Sequence, residues 1–158
     1  MKIMRNDSGF TLAEVMVVIA IIGICSAIAI PSFIGWLPKY RLNSATSDLL
    51  GAMQSARLRA LKDNASVVIE FNPGADSYSV FLDNGAGGGN SGNSIQDGAE
   101  STVMGGAMPA GVDLLGGDTL RFDARGFPDP TNGTVNLRNT KNDTTTITVN
   151  ATGNCRAS

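Results

Sequence analysis

Residues 10–30 form 21 consecutive positions in which Glu14 is the only charged side chain. As a helix rising about 1.5 Å per residue, such a run reaches about 31 Å, enough to cross the hydrocarbon core of a bilayer. The remainder is of a different kind: residues 72–158 are rich in Gly, Asn, Thr and Asp. With 158 residues in all, there is room for one modest domain beside one membrane element. The contrast predicts an apolar stalk that carries a polar head.

Ahead of the run, residues 1–9 hold Lys2 and Arg5 against a single acid, Asp7. Positive charge before an apolar span stays cytoplasmic, which sends the C-terminal head across the membrane. Glu14 is the position that demands an explanation, because a carboxylate at mid-membrane costs about 2.5–3.5 kcal/mol on insertion scales and marks a function. Cleavage between Gly9 and Phe10 would create an α-amino group one helical turn before Glu14, a charge that could pair with it. In the plainer reading Glu14 sits near the interface and is satisfied by its own chain's amine or by water. A competing reading of the whole segment is an ordinary secretory signal, since Ala27-Ile28-Ala29 has the small-x-small pattern and would release a soluble β-domain beginning at Ile30. Against it, the run exceeds the roughly 7–15 residues of a signal core and carries an acid near its start.

Gly9-Phe10-Thr11-Leu12-Ala13-Glu14, the apolar residues to Ile30 and then Pro31 together resemble the N-terminus of bacterial type IV prepilins and type II secretion pseudopilins. The resemblance implies that a prepilin peptidase cuts after Gly9 and N-methylates Phe10, that Glu14 pairs with the Phe10 amine of a neighbouring subunit, and that Pro31 kinks or locally melts the helix. An internal proline suits that role, having no N–H and clashing with the preceding turn.

Past Pro31 the helical pattern resumes, with Gly35 and Pro38 expected to bend it near Trp36 and Tyr40, aromatics suited to a membrane interface. Leu42, Ala45, Leu49, Ala52, Met53, Ala56 and Ala60 recur at three- and four-residue spacing, the mark of one apolar face. Arg41, Ser44, Ser47, Asp48, Ser55, Arg57, Arg59 and Lys62 occupy the other side, and the last three place positive charge where the helix dipole favours it. The helix is expected to end near Asp63-Asn64. From there the period becomes two: Val67/Ile69/Phe71 and Tyr78/Val80/Leu82 flank Pro73-Gly74-Ala75-Asp76 as a hairpin. Leu120/Phe122, Val135/Leu137 and Ile147/Val149 continue the alternation, predicting at least five strands. Glycines 85, 87, 88, 89 and 92 predict a long mobile excursion over residues 84–111, with a short strand near Thr102–Met104. The expected organisation is a leader (1–9), a membrane and filament-core helix (10–30), its amphipathic continuation (31–63) and a β-rich head (64–158).

Several chemistries are disfavoured. The chain has no histidine, which removes Ser-His-Asp and Cys-His catalysis and the usual imidazole ligands. Cys25 and Cys155 lie in segments that should not meet, so no intramolecular disulfide is expected; Cys25 reads as a small apolar side chain, and Cys155 as a free thiol or an intermolecular partner. The Gly-rich stretch lacks the Gly-Lys-Ser/Thr of a phosphate loop. Asp113, Asp118, Asp123, Asp129 and Asp143 lack calcium-loop spacing and read as turn and solvent-face residues. Arg125-Gly126 reads as a strand-end turn with a left-handed glycine. No enzyme, cofactor or metal is expected.

The segments Leu120–Pro128, Asn132–Leu137 and Ile147–Gly153 are similar to the head of the GspH/FimT family of minor pseudopilins and minor pilins. This implies an α+β, type IV pilin-like fold, with a long N-terminal helix packed on an antiparallel β-sheet head. It also implies a filament subunit of a type II secretion pseudopilus or type IV pilus, in protein secretion or pilus biogenesis. The partners implied are prepilin peptidase, other pilins or pseudopilins, an inner-membrane assembly platform and the lipid bilayer. The location implied is the bacterial inner membrane, crossed once with the head periplasmic, and then the filament. Some relatives with this head take up DNA, which makes Arg138, Lys141 and Arg156 candidate phosphate contacts; three scattered cations with Asp143 among them form a weak patch, and net charge −2 gives no general attraction to nucleic acid.

Overall fold

A computed structural model describes residues 10–158; the expected leader and the Gly9 side of the expected cleavage site lie outside the described residues. The chain divides into two compact units, one ending at Leu37 and the other spanning Pro38–Ser158. Helix α1 runs from Leu12 to Asp63.

In the second unit, all seven residues of the expected apolar stripe are buried, from Leu42 through Ala60. Small residues at 45, 52, 56 and 60 let the helix backbone approach its sheets closely, while Leu49 and Met53 fill the space between. Thr46, also buried on this face, donates its hydroxyl to the Leu42 carbonyl at 2.8 Å. The helix ends as expected: Asn64 takes a left-handed φ of 49° and the Ala65 amide reaches back to the Ala60 carbonyl at 3.3 Å, the hydrogen bond of a Schellman stop.

Nine strands follow. β1 (Ser66–Asn72), β2 (Ser77–Asp83), β3 (Thr102–Ala107), β5 (Leu120–Phe122) and β6 (Pro128–Asp129) make a sheet of order β3-β2-β1-β5-β6. β4 (Val112–Gly117), β7 (Gly133–Asn139), β8 (Thr144–Val149) and β9 (Cys155–Ala157) make a second, of order β4-β7-β8-β9. Every pairing is antiparallel, and the expected hairpin has the register Val67↔Leu82, Ile69↔Val80, Phe71↔Tyr78. Asp76 links the two sheets, its carbonyl accepting from the Met108 amide at 2.7 Å and its carboxylate from the Leu114 amide at 2.9 Å. One core results, with Leu49 and Met53 of α1 against Ile69, Leu120, Leu137 and Ile147.

Simple alternation fails on the first sheet, where Val68 and Phe81 are as buried as Ile69. They are paired across β1 and β2 and face away from the helix. The Gly-rich segment lies over that face: Asp83, fully buried, accepts the amides of Gly92 at 2.5 Å and Ser94 at 2.8 Å, and Arg121, opposite Val68 on β5, donates to the Gly92 carbonyl at 2.5 Å. Glu100 accepts the Gly85 and Asp97 amides, and Asp97 accepts that of Asn90. These contacts fall within the excursion expected over 84–111. Residues 84–101 form a cover folded around three carboxylates that replace the missing backbone ladder, and the residues after them enter β3, the short strand anticipated near Thr102.

Three five-residue turns share one construction: Asp123–Phe127, Asn139–Asp143 and Asn150–Asn154. In each, the first side-chain oxygen accepts the amides of the third and fifth residues. The fourth residue is left-handed, with φ of 76° at Gly126, 65° at Asn142 and 79° at Gly153, as an Asx-type turn closing a hairpin requires. Gly126 confirms the strand-end reading of Arg125-Gly126.

The polar side of α1 also makes contacts. Arg57, placed opposite the apolar face by the spacing, donates to the carbonyls of Gly126 at 3.0 Å, Thr152 at 2.9 Å and Gly153 at 3.2 Å. Two of the three turns therefore dock on one guanidinium, whose planar fork can satisfy several acceptors at once. Arg41 likewise donates to the Ala110 carbonyl at 2.8 Å, and Arg59 pairs with Asp63.

Candidate functional site

The candidate site is the first unit's stretch of α1. Its most apolar 18-residue window has a mean hydropathy of 2.6 and no buried residue. Apolar side chains point outward around the whole circumference, which is the pattern of a helix whose surroundings are not water. α1 is helical through Pro31, Gly35 and Pro38. Trp36 and Tyr40 are each about half exposed.

At the start, Phe10 and Thr11 lie outside the helix and Leu12 is its first residue. The Thr11 carbonyl accepts the Val15 amide at 3.2 Å, and the Thr11 hydroxyl oxygen accepts the Glu14 amide, also at 3.2 Å. Thr11 is thus the N-cap, and Glu14 is an acid in the first turn, where the helix dipole favours it. Phe10, Glu14, Val15, Val18 and Ile19 line a shallow apolar groove, and Glu14 is exposed.

The candidate phosphate contacts do not converge. Arg138 is ion-paired with Asp113 at 3.1 Å, Lys141 lies in the Asn139–Asp143 turn, and Arg156 is on β9. Their register partners on β8, Thr144 for Arg138 and Thr148 for Arg156, stand about 13 Å apart along the strand. Cys25 is exposed and Cys155 half-buried, both as free thiols; burial raises the Cys155 thiol pKa above its ordinary value, with the nearby Arg57 charge opposing.

Residues 45–153 match the family described as type II transport protein GspH, over more than half of the chain. The chain belongs to the GspH family. In this GspH-family chain, residues 4–30 also match the prokaryotic N-terminal methylation motif. It is 32% identical to the pilin-like protein PilA1 of Thermus thermophilus, over 76% of this chain and 78% of that one. It is 34% identical to a fimbrial protein of Pseudomonas aeruginosa over 77 residues, 49% of each, so the match spans about half of that relative. Among solved structures, the GspH-family chain resembles the type IV minor pilin FimU of Pseudomonas aeruginosa (TM-score 0.58, 15% identity, 76% of this chain and 90% of that one). It also resembles the minor pseudopilin EpsH of the Vibrio cholerae type 2 secretion system (TM-score 0.55, 11% identity, 75% and 96%). The fold is therefore the minor pilin and pseudopilin fold expected from the sequence.

Arg57 and Asp83 escaped sequence reasoning. The signal that could have found Arg57 is the repeated Asp/Asn-x-x-Gly/Asn pattern at 123, 139 and 150, which marks turns rich in outward carbonyls.

Proposed function

We propose that this chain is a minor subunit of a type II secretion pseudopilus or a type IV pilus. Prepilin peptidase cuts between Gly9 and Phe10 and methylates Phe10. Residues 10–30 hold the chain in the bacterial inner membrane, with the N-terminus cytoplasmic and the head periplasmic, until an assembly platform moves it into the filament. There Glu14 pairs with the Phe10 amine of a neighbouring subunit, and apolar faces pack on other pilins or pseudopilins in place of lipid. Pro31 is where the helix would yield on entry, since its missing N–H weakens the ladder there.

The observation that carries this reading is the unburied apolar window with one carboxylate in its first turn. In the plane of a bilayer or the axis of a filament that surface is covered, and the carboxylate gains a cation. The test is to express Glu14→Ala and Glu14→Val and to recover filaments by shearing. Both variants should be processed normally, yet enter filaments at least about tenfold less, as expected for a lost charge pair in a low-dielectric core. Wild-type recovery of both would contradict the pairing.

A nucleic-acid role finds little support, since Arg138 already has its acid. A salt-sensitive gel shift by the full chain, weakened in Arg156→Ala, would revive it.

A further inference from the structure

The head contains the pairs Asn84-Gly85 and Asn132-Gly133, and the fold treats them oppositely. Asparagine before glycine is open to self-modification, because the next residue's backbone nitrogen can attack the side-chain amide and glycine puts no side chain in its way. Gly133 is buried at the start of β7, where a Cβ would collide with the Leu120 side chain. The alternation set by the Asn139–Asp143 pair makes Gly133 and Val149 a hydrogen-bonded pair of the β7–β8 ladder, so its nitrogen is tied into a strand. Asn84 is exposed just after β2, and Gly85 is left-handed, with a φ of 70°. The Gly85 amide donates to the carboxylate of the buried Glu100 at 2.8 Å, and the Ala86 amide donates to the Asn84 side-chain oxygen at 3.1 Å.

We propose that Asn84 is a self-modifying site, where the fold supplies a proton acceptor and an oxyanion donor for ring closure onto Gly85. The Gly85 nitrogen bonds to the Asn84 Cγ as its proton passes to Glu100, a base already in hydrogen-bond contact. Negative charge develops on Oδ1, where the Ala86 amide is placed to receive it. The Cγ–Nδ2 bond then breaks, and the proton taken up leaves with Nδ2 as ammonia. Water opens the five-membered imide at either carbonyl, giving aspartate or its β-linked isomer. One water is consumed and one ammonia released, with no change of oxidation state. Either product sets a new carboxylate next to the residue whose amide Glu100 holds, and like charges repel. The grip of Asp83 and Glu100 on the cover of residues 84–101 is thereby loosened. Nothing in this chemistry requires a filament.

The experiment holds the full chain, purified in detergent, in mildly alkaline buffer, either folded or unfolded in guanidinium chloride. Peptide mass spectra follow the replacement of amide by carboxyl at residues 84 and 132. Asn84 should convert at least about tenfold faster in the folded chain than in the unfolded one, a modest part of the ~10²–10⁴ that a placed acid or base contributes. Asn132 should convert only when unfolded. Glu100→Gln, which keeps the shape and loses the base, should bring folded Asn84 down towards its unfolded rate. Conversion of Asn84 no faster in the folded chain than in the unfolded one would overturn the proposal. Equal conversion at 84 and 132 in the folded chain would do the same, as would a wild-type rate in Glu100→Gln. Hydrogen exchange at Gly92 and Ser94 should quicken in the converted chain, and unchanged exchange there would overturn the loosening of the cover.

Discussion

In the first half of α1 the apolar side chains stand outward, with Ile24 at 66% and Ile28 at 72% exposure, whereas in the second half Leu49, Met53, Ala56 and Ala60 are at 0%. The two halves are written differently. Residues 10–30 are apolar at nearly every position, so no face is reserved for water. Residues 38–63 are apolar only at three- and four-residue intervals, so one face meets a wall and the other meets polar groups. A stripe can be buried by the chain's own sheets, but an all-round apolar surface has to be covered by something outside the described residues, lipid or other subunits. On the proposed reading, the halves divide the work between anchoring and assembly on one side and head stability on the other.

The sharpest way to break this division is to delete the same kind of side chain in each half. Leu49→Ala should destabilise the head by about 2–5 kcal/mol, as cavities in packed cores do, whereas Ile21→Ala should leave head unfolding in denaturant unchanged. Equal effects would mean that the first half is part of the head's cooperative unit. Next in size is the head's polar grip on its own half of the helix. Arg57→Ala strips donors from three turn carbonyls and should cost about 1.5–3 kcal/mol, in line with hydrogen bonds to a charged group; Arg57→Lys should recover only part of it, because an ammonium lacks the planar fork. Asp83→Ala, expected to cost about 1–2 kcal/mol, should speed hydrogen exchange at Gly92 and Ser94 while leaving the amides of α1 near Met53 protected.

The smallest effect concerns the turns that Arg57 holds. Desolvation alone would raise the Asp123 carboxyl, but hydrogen bonds from the Phe127 amide and from Arg125, with the charge of Arg125, bring it below its ordinary value. A group with a depressed folded pKa gives stability that is present above its unfolded value and is lost as pH falls through the folded one. Acid should therefore loosen Asp123–Phe127 while sparing Asn150–Asn154, where an amide does the same work. Amide chemical shifts followed from about pH 6 down to about pH 2 should separate the two turns, and Asp123→Asn should abolish the response.

Much of this was legible before any coordinates. Hydrophobic period gave the stripe, the helix end at Asp63 and the β1–β2 register, because burial dictates each of them locally. The contacts of residues 84–101 were illegible for a physical reason: glycine content reports chain freedom, and says nothing of which amides acceptors such as Asp83 and Glu100 take. The partners of Arg57 were not legible, because they are backbone carbonyls about 70 and 95 residues further on, which leave no mark in a helical pattern. The start of α1 was read for its chemistry, and its capping oxygen emerged only with the Thr11–Glu14 bond.

The division between the two halves is tested most directly by the mass of the mature N-terminus in chain extracted from membranes. Removal of residues 1–9 with a methylated Phe10 is the predicted result, since it leaves the apolar half intact and creates the cation for Glu14. A chain beginning at Met1, or one beginning at Ile30 and lacking the exposed helix, would contradict the account.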